Sequence, residues 1–578
     1  MLAANARAIR SLLSGAVIRL AGFAVICSLI GMFVQMVMVA YPILAPSELT
    51  RVSSLAEGSL PRHLKEEARS FDTPDGVSFS VAGDWSLEGV QGEPWFWVSS
   101  LTGFRIENTD LPTSWTAASA VGINRGLAIA TDDGVISHHH FLASPFEGDA
   151  PSSALVEQVA LPLPFVTMAG HPRLAVVAVL SLSGNVTIVD FRNPKATLSH
   201  PISDDASTLF WASPIQLHVV GDNHAEVFQF KTTDIGGAWS RLINPVHYEG
   251  YSTPGYLWLP LPASEAAEPK YSIAPLLFGT LKAASLALLV AVPLSVGAAI
   301  YVGFFMSTVQ RGRIRPAIDM LTAFPTVVLG AIGLFWIAPM FETVLAALMG
   351  IVILFPLLTI LGVFAMRSAG MRLVRLDALD DWPLKMIPLV SLVLVVSAFT
   401  GVSLADSLPG GSLKGYLQNQ GITLAYFNSI LVGLILGLAI TPTIFSVAEE
   451  AINSVPKNLA SGALALGSTP WQSYRDIVLP LALPGMIAAV MIGFGRAAGE
   501  TMILLMLSGN TGIIDMSVFE GLRSVSASLA LELPEAPRDS SHYHVLFVMG
   551  LMLFAVTFAV NTLAELIKDS VKAKTRGV

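Results

Sequence analysis

The chain has 578 residues, of which 53% are hydrophobic and only 13% are charged, and its formal net charge at pH 7 is −9. Soluble globular proteins carry roughly 25% charged residues, so this composition excludes an ordinary soluble protein and indicates a membrane protein. The negative balance comes from residues 47–272, which hold 25 acidic against 12 basic residues, and the single cysteine, Cys27, excludes a disulfide framework.

The first predicted element is a membrane span. Arg7, Arg10 and Arg19 precede an apolar run from 20 to 44, and about 20 such residues cross a bilayer. The run is longer than the core of a signal peptide, and no small-residue cleavage site follows it. We therefore expect residues 1–46 to form a cytoplasmic N-terminus and a retained first helix.

Residues 47–272 read as a large β-rich domain outside the cytoplasm. Three segments pair β-prone runs around a turn that contains Gly with Asp or Asn, and they start at Gly126, Leu174 and Ile215. The starts lie about 40–50 residues apart, which is near the period of propeller blades. A propeller-like domain is the prediction and a β-sandwich is the alternative.

Two groups of side chains in this domain, the tryptophans and three consecutive histidines, are candidates for a ligand site. Seven of the ten tryptophans lie here, including Trp85, Trp95 and Trp97, and we expect them to fill the core. His138 and His140 would share one face of a strand, as metal ligands could. No cysteine or third ligand accompanies them, so we interpret the three consecutive histidines as an exposed strand end and predict no metal site.

The rest of the chain is strongly apolar. We predict about eight transmembrane helices, at 20–44, 276–306, 317–338, 343–366, 386–405, 428–448, 484–508 and 545–567. Pro356 and Pro388 mark 343–366 and 386–405 as possible broken or re-entrant helices.

Basic residues give these spans a direction. With a cytoplasmic N-terminus, the basic clusters beside the spans all fall on the cytoplasmic side. Those residues are Arg311, Arg313, Arg315, Arg367, Arg372, Arg375, Lys385, Lys457, Arg475, Lys568, Lys572, Lys574 and Arg576. The predicted domains are thus 47–272 outside, a transmembrane domain at 273–567, and a cytoplasmic tail at 568–578.

A polar segment on the cytoplasmic side, within 450–482, has the signals of two short helices joined by a bend. Ala460–Leu466 is helix-compatible, and Gly467 can end that helix in a left-handed conformation. Ser468 or Thr469 can cap the next helix, with Pro470 in its first turn. Such an element can insert into a groove of a partner protein; a connecting loop is the alternative.

The spacing in this segment resembles the EAA loop of ABC importer permeases. The matching positions are Ser461, Gly462, Ala463, Gly467, Ile477, Leu479 and Pro480. Ser461 and Gly462 stand where the family pattern opens with Glu-Ala. The resemblance implies that these residues couple the chain to an ATPase.

A finer resemblance is to the PstC-like permease of the phosphate ABC importer. It is carried by AAIYVGFFM (298–306), FPTVVLGAIGL (324–334), TPTIFSVAEEAINSVP (441–456), LALGSTPWQS (464–473) and GRAAGETMILLMLSGN (495–510). It implies a type I ABC importer helical bundle in a bacterial inner membrane, with both termini cytoplasmic. The large domain at 47–272 and the spans near 343–405 go beyond the common six-helix pattern.

Arg496, Glu500 and Thr501 are the predicted substrate-path residues. In the family, the Arg and Glu of R-A-x-G-E-T act in transport, and charged groups inside an apolar span are functional by default. A spacing of four predicts that Arg496 and Glu500 share one helical face, and a guanidinium matches phosphate oxygens. The alternative is a packing salt bridge that never touches substrate.

No catalytic constellation or phosphate-binding P-loop is present in the sequence. GFGRAAG at 493 lies in an apolar span, where its small residues favour close helix packing. We therefore expect no enzyme activity and no cofactor in this chain, with ATP and Mg bound by a partner.

The resemblance implies four kinds of contact: a second PstA-like permease, PstB-like ATPase subunits, a periplasmic PstS-like phosphate-binding protein, and membrane lipid. Nucleic acid is not an expected partner. Another oxyanion, such as molybdate or sulfate, remains an alternative substrate. A membrane-anchored sensor or scaffold with 47–272 as its receptor domain is the alternative from another class.

Overall fold

The computed structural model describes residues 2–575 except 56–75, 81–84, 101, 123–125, 143–150, 163, 204–205, 222–223, 249–250, 262–267 and 369–381. Arg372, Arg375 and Arg576, which served the orientation argument, lie outside the described residues. The chain divides into two compact units. One comprises Met1–Ala274 with Ala536–Val548, and the other comprises Pro275–Glu535 with Met549–Val578.

Helices make up most of the chain outside the β-rich segment. They are α1 Leu2–Leu44, α2 Ala274–Ile300, α3 Thr308–Leu321, α4 Thr326–Ile332, α5 Phe341–Ser368, α6 Trp382–Asp406, α7 Leu413–Asn419, α8 Ser429–Asn453, α9 Lys457–Ala465, α10 Pro470–Ser473, α11 Leu479–Gly499, α12 Met502–Leu507, α13 Val525–Glu532 and α14 Ser541–Thr575. Short π-helical segments extend three of these helices, at Tyr301–Phe305, Gly333–Ile337 and Tyr474–Val478.

Six of the described helices are long and apolar enough to cross a membrane. They are Arg19–Leu44, Ala274–Phe305, Phe341–Gly362, Ser429–Asn453, Pro470–Gly499 and Ser541–Ile567. A seventh span results if the bent pair Thr308–Leu321 and Thr326–Ile337 counts as one. The eight predicted spans therefore stay a prediction, with Val390–Asp406 as a shorter apolar helix.

The break in the bundle is not at the prolines that the sequence suggested. Pro356 lies inside the continuous helix α5. Instead, the predicted span 317–338 bends by 79° between α3 and α4, where Pro325 caps α4 in an extended conformation and the residue before a proline avoids helical geometry. At about 1.5 Å per residue, Thr326–Ile337 reaches roughly 18 Å, short of a hydrocarbon core of about 30 Å. The predicted span 317–338 is therefore a bent pair of helices and not one continuous helix.

Small residues allow the helices of the bundle to approach closely. Helix α8 is the most buried span, and a Cβ on Gly433 would lie 2.7 Å from Leu286 Cβ of α2. A Cβ on Gly493 of α11 would lie 2.5 Å from the Ile444 side chain of α8. The expected packing role of the GFGRAAG glycines is therefore confirmed at Gly493.

The β-rich unit consists of antiparallel sheets. Its strands are β1 Glu48–Leu55, β2 Gly76–Ser80, β3 Trp85–Val90, β4 Trp95–Ser99, β5 Arg105–Asn108, β6 Ala117–Val121, β7 Gly126–Ala130, β8 Val135–Leu142, β9 Ser152–Ala160, β10 Phe165–Gly170, β11 Val176–Ser181, β12 Asn185–Asp190, β13 Leu198–Pro201, β14 Ala206–Ser213, β15 Gln216–Gly221, β16 Ala225–Lys231, β17 Trp258–Leu259 and β18 Lys270–Tyr271. Within the described residues they form four four-stranded sheets and one two-stranded sheet.

The order of strands is simple. Three sheets are meanders of consecutive strands, β2–β5, β6–β9 and β10–β13. In the fourth, β14–β16 continue the meander and β1 adds to the edge beside β16. All three hairpins predicted from the sequence are confirmed, as β7–β8, β11–β12 and β15–β16. Four sheets are more than the two of a β-sandwich, so that alternative is wrong, while the propeller-like arrangement stays a prediction.

Apolar clusters fill the space between successive sheets. One joins β2–β5 to β6–β9 and contains Trp95, Trp97 and Trp115, which are 0%, 2% and 4% exposed. Two further clusters join β6–β9 to β10–β13 and β10–β13 to the last sheet. The expectation that the tryptophans form core is confirmed for these three, because burying such large apolar rings stabilises the sheets.

The three consecutive histidines do not form an exposed strand end, so that interpretation is wrong. His138, His139 and His140 are 2–4% exposed. As the alternation of a strand requires, His138 and His140 lie together, with ring centroids 4.7 Å apart, and they pack on Phe191 and His247. Residues distant in sequence cover them, which strand periodicity cannot show.

Acid is expected to destabilise this unit through the buried histidines. Burial lowers the pKa of His139 and His140 to about 4 and holds the pKa of His138 well below its usual value. The unfolded chain binds these protons near pH 6.5, so the free energy of unfolding is complete above that pH and falls as the pH drops towards 4. For His139 and for His140 the shift corresponds to about 3 kcal/mol at pH 4.

Tryptophan fluorescence of the full chain in detergent measures this acid transition. His139→Gln removes one such site and should move the midpoint to lower pH. The matched control, His224→Gln, removes an exposed histidine of the same unit and should leave the midpoint in place. Equal midpoints for His139→Gln and wild type would contradict the assignment.

Candidate functional site

Residues 457–480, here called the 457–480 loop, form two short helices with a sharp bend. Helix α9 ends at Ala465, and Gly467 follows with φ of 94°, a left-handed conformation that glycine adopts without strain. The Thr469 side chain then accepts from the Gln472 N–H in a capping box, with Pro470 in the first turn of α10. The predicted shape of this segment is confirmed.

The inner side of the 457–480 loop is anchored in the bundle. Ser473 Oγ donates to the Ala460 carbonyl at 3.2 Å and so joins the two short helices. Tyr474 is 2% exposed, and its ring centroid lies 5.5 Å from that of Phe304 and 5.9 Å from that of Phe305, at the end of α2. The loop is therefore in direct side-chain contact with the segment that extends α2.

The outer side of the loop exposes apolar side chains. Leu466 is 91% exposed, Trp471 57% and Leu464 43%. Single exposed apolar residues are common, but three on one short segment form a surface that a partner can cover.

The positions of the EAA-like pattern are distributed over this loop and the start of α11. Ser461 and Gly462 are exposed on α9 beside the partly buried Ala463, and Gly467 forms the bend. Ile477 and Leu479 are partly buried, and Pro480 is exposed in the first turn of α11. Gly467 shapes the loop and the partly buried Ile477 and Leu479 help to anchor it, while a contact with an ATPase stays a prediction.

Restoring alanine at position 462 should stabilise α9. A Cβ on Gly462 would have nothing within 4 Å, and alanine is favoured over glycine in a helix by about 1 kcal/mol. Amide hydrogen exchange at 457–466 in Gly462→Ala should slow by about fivefold. The reverse substitution in the same helix, Ala463→Gly, should accelerate exchange, and faster exchange in Gly462→Ala would contradict the prediction.

Arg496 lies in the last turn of α11. Its Nη1 donates to Thr443 Oγ1 on α8. The positive charge suits this position because a helix C-terminus carries partial negative charge. A guanidinium has five N–H donors, and among the described residues this is the one side-chain bond that Arg496 makes.

Glu500 is the residue at which α11 stops, and a helical face shared with Arg496 stays a prediction. Helix α11 ends at Gly499, and Glu500 follows with φ −67° and ψ 133°, an extended conformation. Ser526 Oγ donates to the Glu500 carbonyl at 2.7 Å, which occupies the acceptor that a continuing helix would use. The predicted span 484–508 is therefore two helices, α11 and α12.

The charges of Arg496 and Glu500 are not paired in the described part of the chain. Within the part of the chain that the structure describes, no ion pair or hydrogen bond engages the Glu500 carboxylate. Thr501 lies in the break, where its Oγ1 is 3.4 Å from the Gly499 carbonyl. Arg496, Glu500 and Thr501 are close in sequence, but the permanent salt bridge that the sequence allowed is not formed.

The sequence analysis missed a charged cluster between α3 and α8. Glu449 of α8 is 0% exposed and pairs with Arg311 and, at 3.4 Å, with Arg315 Nη1. Ser446 Oγ donates to Asp319 Oδ1 of α3 at 2.7 Å. The sequence feature that could have indicated this cluster is the glutamate pair at 449–450, at the end of an apolar run. The basic run at 311–315, which supplies its partners, was used only to orient the spans.

A metal site finds no support in the geometry. Among the residues that the structure describes, no group of three or more His, Cys, Asp or Glu side chains could hold a metal ion. This includes His138 and His140, whose neighbours are rings and apolar side chains.

Comparison with known proteins gives matches in the helical part. Residues 384–576 match the family "Binding-protein-dependent transport system inner membrane component". The chain is 26% identical over 328 residues to the phosphate transport system permease protein PstC of Mesorhizobium japonicum, covering 57% of this chain and 83% of the relative. It is 29% identical over 295 residues to PstC of Haemophilus influenzae, covering 51% and 75%.

Among solved structures, the MetNI methionine ABC transporter in inward-facing conformations matches with 12% identity and a TM-score of 0.28, covering 51% of this chain and 94% of that chain. The family match includes the 457–480 loop, Arg496 and Glu500. Residues 384–576 are therefore similar to the binding-protein-dependent transport system inner membrane component family.

Proposed function

We propose that this chain is a transmembrane permease subunit of an ATP-driven importer of inorganic phosphate. One helix carries the proposal: α11 begins at the exposed 457–480 loop and carries Arg496 in its last turn. A force applied to the loop and an anion bound at the guanidinium thus act on the same rigid element. The similarity to PstC permeases over half of the chain supports phosphate as the substrate.

The substrate path runs past Arg496, Glu500 and Thr501. Arg496 supplies planar N–H donors and a charge that match phosphate oxygens. Thr443 orients the guanidinium from α8. The Glu500 carboxylate lies at the helix break. Its negative charge repels a phosphate bound at Arg496 and so favours movement of the anion along the path. Thr501 supplies a neutral hydroxyl in the same break.

The 457–480 loop binds the ATPase. Leu464, Leu466 and Trp471 form its apolar contact surface, and Ser461 and Gly462 replace the charged opening of the EAA pattern with small, exposed residues. ATP and Mg are bound by the ATPase and none by this chain, which is not itself an enzyme. The complete transporter contains a second PstA-like permease, two copies of a PstB-like ATPase and a PstS-like periplasmic binding protein.

The orientation follows from the basic residues beside the spans. The 457–480 loop and both termini face the cytoplasm of a bacterial inner membrane, and the β-rich unit, arranged as a propeller, faces the periplasm. The helices form a type I bundle of about eight spans. The binding protein delivers phosphate outside, and closure of the ATPase dimer moves the loop and rocks the bundle between outward-open and inward-open states.

Uptake in proteoliposomes tests the proposal. The purified permease pair with its ATPase should accumulate phosphate when binding protein is outside and ATP is inside. Parallel assays with molybdate and sulfate identify the anion. Preference for another oxyanion would change the substrate only, whereas a chain that co-purifies with no ATPase would be a sensor or scaffold instead.

A further inference from the structure

Glu449 is buried in a place where a carboxylate is costly. It lies near the C-terminal end of α8 and is 0% exposed. Arg311 and Arg315, both from α3, compensate its charge. Burying an ion pair in place of apolar side chains brings little stability, but removing one partner leaves an uncompensated charge and is strongly destabilising. A buried pair of this kind fixes one arrangement of two helices and penalises others.

Helix α3 is held on α8 by polar contacts with little apolar packing. None of its residues is fully buried, Ile318 is partly buried against the apolar core of the bundle, and Val309 and Met320 are 70% and 74% exposed. Among the described residues, its ion pairs and side-chain hydrogen bonds to α8 are the Arg311 and Arg315 pairs and the Asp319–Ser446 bond. Because so little apolar surface is buried, α3 can dock on α8 in one state and release it in another.

The cluster lies between the two functional ends of the bundle. From Glu449, α8 continues for four residues before Pro456 leads into α9 of the 457–480 loop. In the other direction, Thr443, which binds Arg496, lies about 9 Å along α8 at 1.5 Å per residue. The cluster thus sits on the helix that joins the loop to the Arg496 site.

A second contact ties the cluster to the loop. Gly303, in the π-helical segment after α2, packs on this end of α8: a Cβ there would lie 3.1 Å from Ile452 and 3.7 Å from Glu449 Cγ. The next two residues, Phe304 and Phe305, contact Tyr474 of the 457–480 loop. Displacement of Tyr474 therefore reaches the packing around Glu449.

We propose that Glu449, Arg311 and Arg315 are positioning residues that transmit movement of the 457–480 loop to the Arg496 site by docking and releasing α3 on α8. The inference rests on the proposed function and adds residues to which no transport role has been assigned. Docked, the three charges fix the end of α8 and the orientation of Thr443. When the loop moves, α3 releases and α8 is free to shift.

The test measures phosphate uptake and ATP hydrolysis together in proteoliposomes that hold the complete complex. In Glu449→Gln, the phosphate transported per ATP hydrolysed should fall at least tenfold, while ATP hydrolysis continues. The neighbouring Glu450→Gln is the matched control, because Glu450 is exposed on the same helix. Arg313→Gln, an exposed arginine between the two partners on α3, is the second control, and both controls should keep the wild-type ratio.

A purely structural role would lower the amount of assembled complex and leave the ratio per complex unchanged, and that result would overturn the inference. If Glu449→Gln fails to assemble, Arg315→Gln decides, since Arg315 is 44% exposed and tolerates removal: a threefold or greater fall in the ratio supports coupling, and an unchanged ratio overturns it. Wild-type complex without ATP-driven phosphate uptake would contradict the proposed function instead.

Discussion

Arg496→Gln is expected to reduce phosphate uptake by tenfold or more in the assembled complex. The substitution keeps a hydrogen-bonding side chain that can still reach Thr443, but it removes the charge and the forked donors. Hydrogen bonds to a charged group contribute about 1.5–3 kcal/mol, which corresponds to roughly tenfold to 150-fold. Because the structure leaves Arg496 with one side-chain bond among the described residues, most of its donors are available to the anion.

Two companion variants separate charge from packing. Arg496→Lys keeps the charge without the fork and should retain part of the uptake. Thr443→Val removes the acceptor that orients the guanidinium and should raise the phosphate concentration needed for half-maximal uptake. Initial uptake rates over a range of phosphate concentrations measure all three. Wild-type uptake by Arg496→Gln, at equal amounts of complex, would remove Arg496 from the path.

The parts of this chain that sequence predicted well are those that local chemistry determines. Gly467, Thr469 and Pro470 specify a bend and a capped helix by their own conformational preferences, and the 457–480 loop has that shape. The same holds for the hairpins of the β-rich unit. There, Gly134 and Gly184 adopt positive φ in the turns, and alternating β-prone residues flank them.

The parts that sequence missed depend on contacts between distant segments. The apolar run predicted one continuous span at 484–508, but Ser526, 26 residues after Glu500, donates to the Glu500 carbonyl where the helix breaks. The burial of His138 comes from Phe191. Glu449 and Arg311 are 138 residues apart in sequence. They pair because the fold places α3 beside α8, just before the 79° bend that leads into α4.

The structure also distinguishes three arginines of α3 that the sequence treats alike. Sequence treats Arg311, Arg313 and Arg315 alike, as markers of the cytoplasmic side. In the structure Arg311 and Arg315 point to Glu449, while Arg313 is exposed. A spacing of four puts Arg311 and Arg315 on the face of the helix that holds α8, and Arg313, between them in sequence, lies off that face.

Leu466→Asp is expected to weaken binding of the ATPase at least tenfold. Leu466 is 91% exposed at the end of α9, so the substitution removes no packing within this chain. Fully burying a leucine in a partner contributes about 1.5–3 kcal/mol, and a charge in its place would have to be desolvated. A few such anchors carry most of the energy of a protein interface.

The measurement is the ratio of ATPase to permease after purification in detergent, together with ATP-driven phosphate uptake. Leu261→Asp is the matched control, because Leu261 is 57% exposed in the β-rich unit and should leave the ratio at the wild-type value. Trp471→Ala should give an intermediate loss of bound ATPase. The Trp471 ring already contacts Tyr474 in this chain, so it buries less additional surface against the ATPase. A wild-type ratio for Leu466→Asp would show that the ATPase binds elsewhere, and the exposed residues of the 457–480 loop would then need another partner.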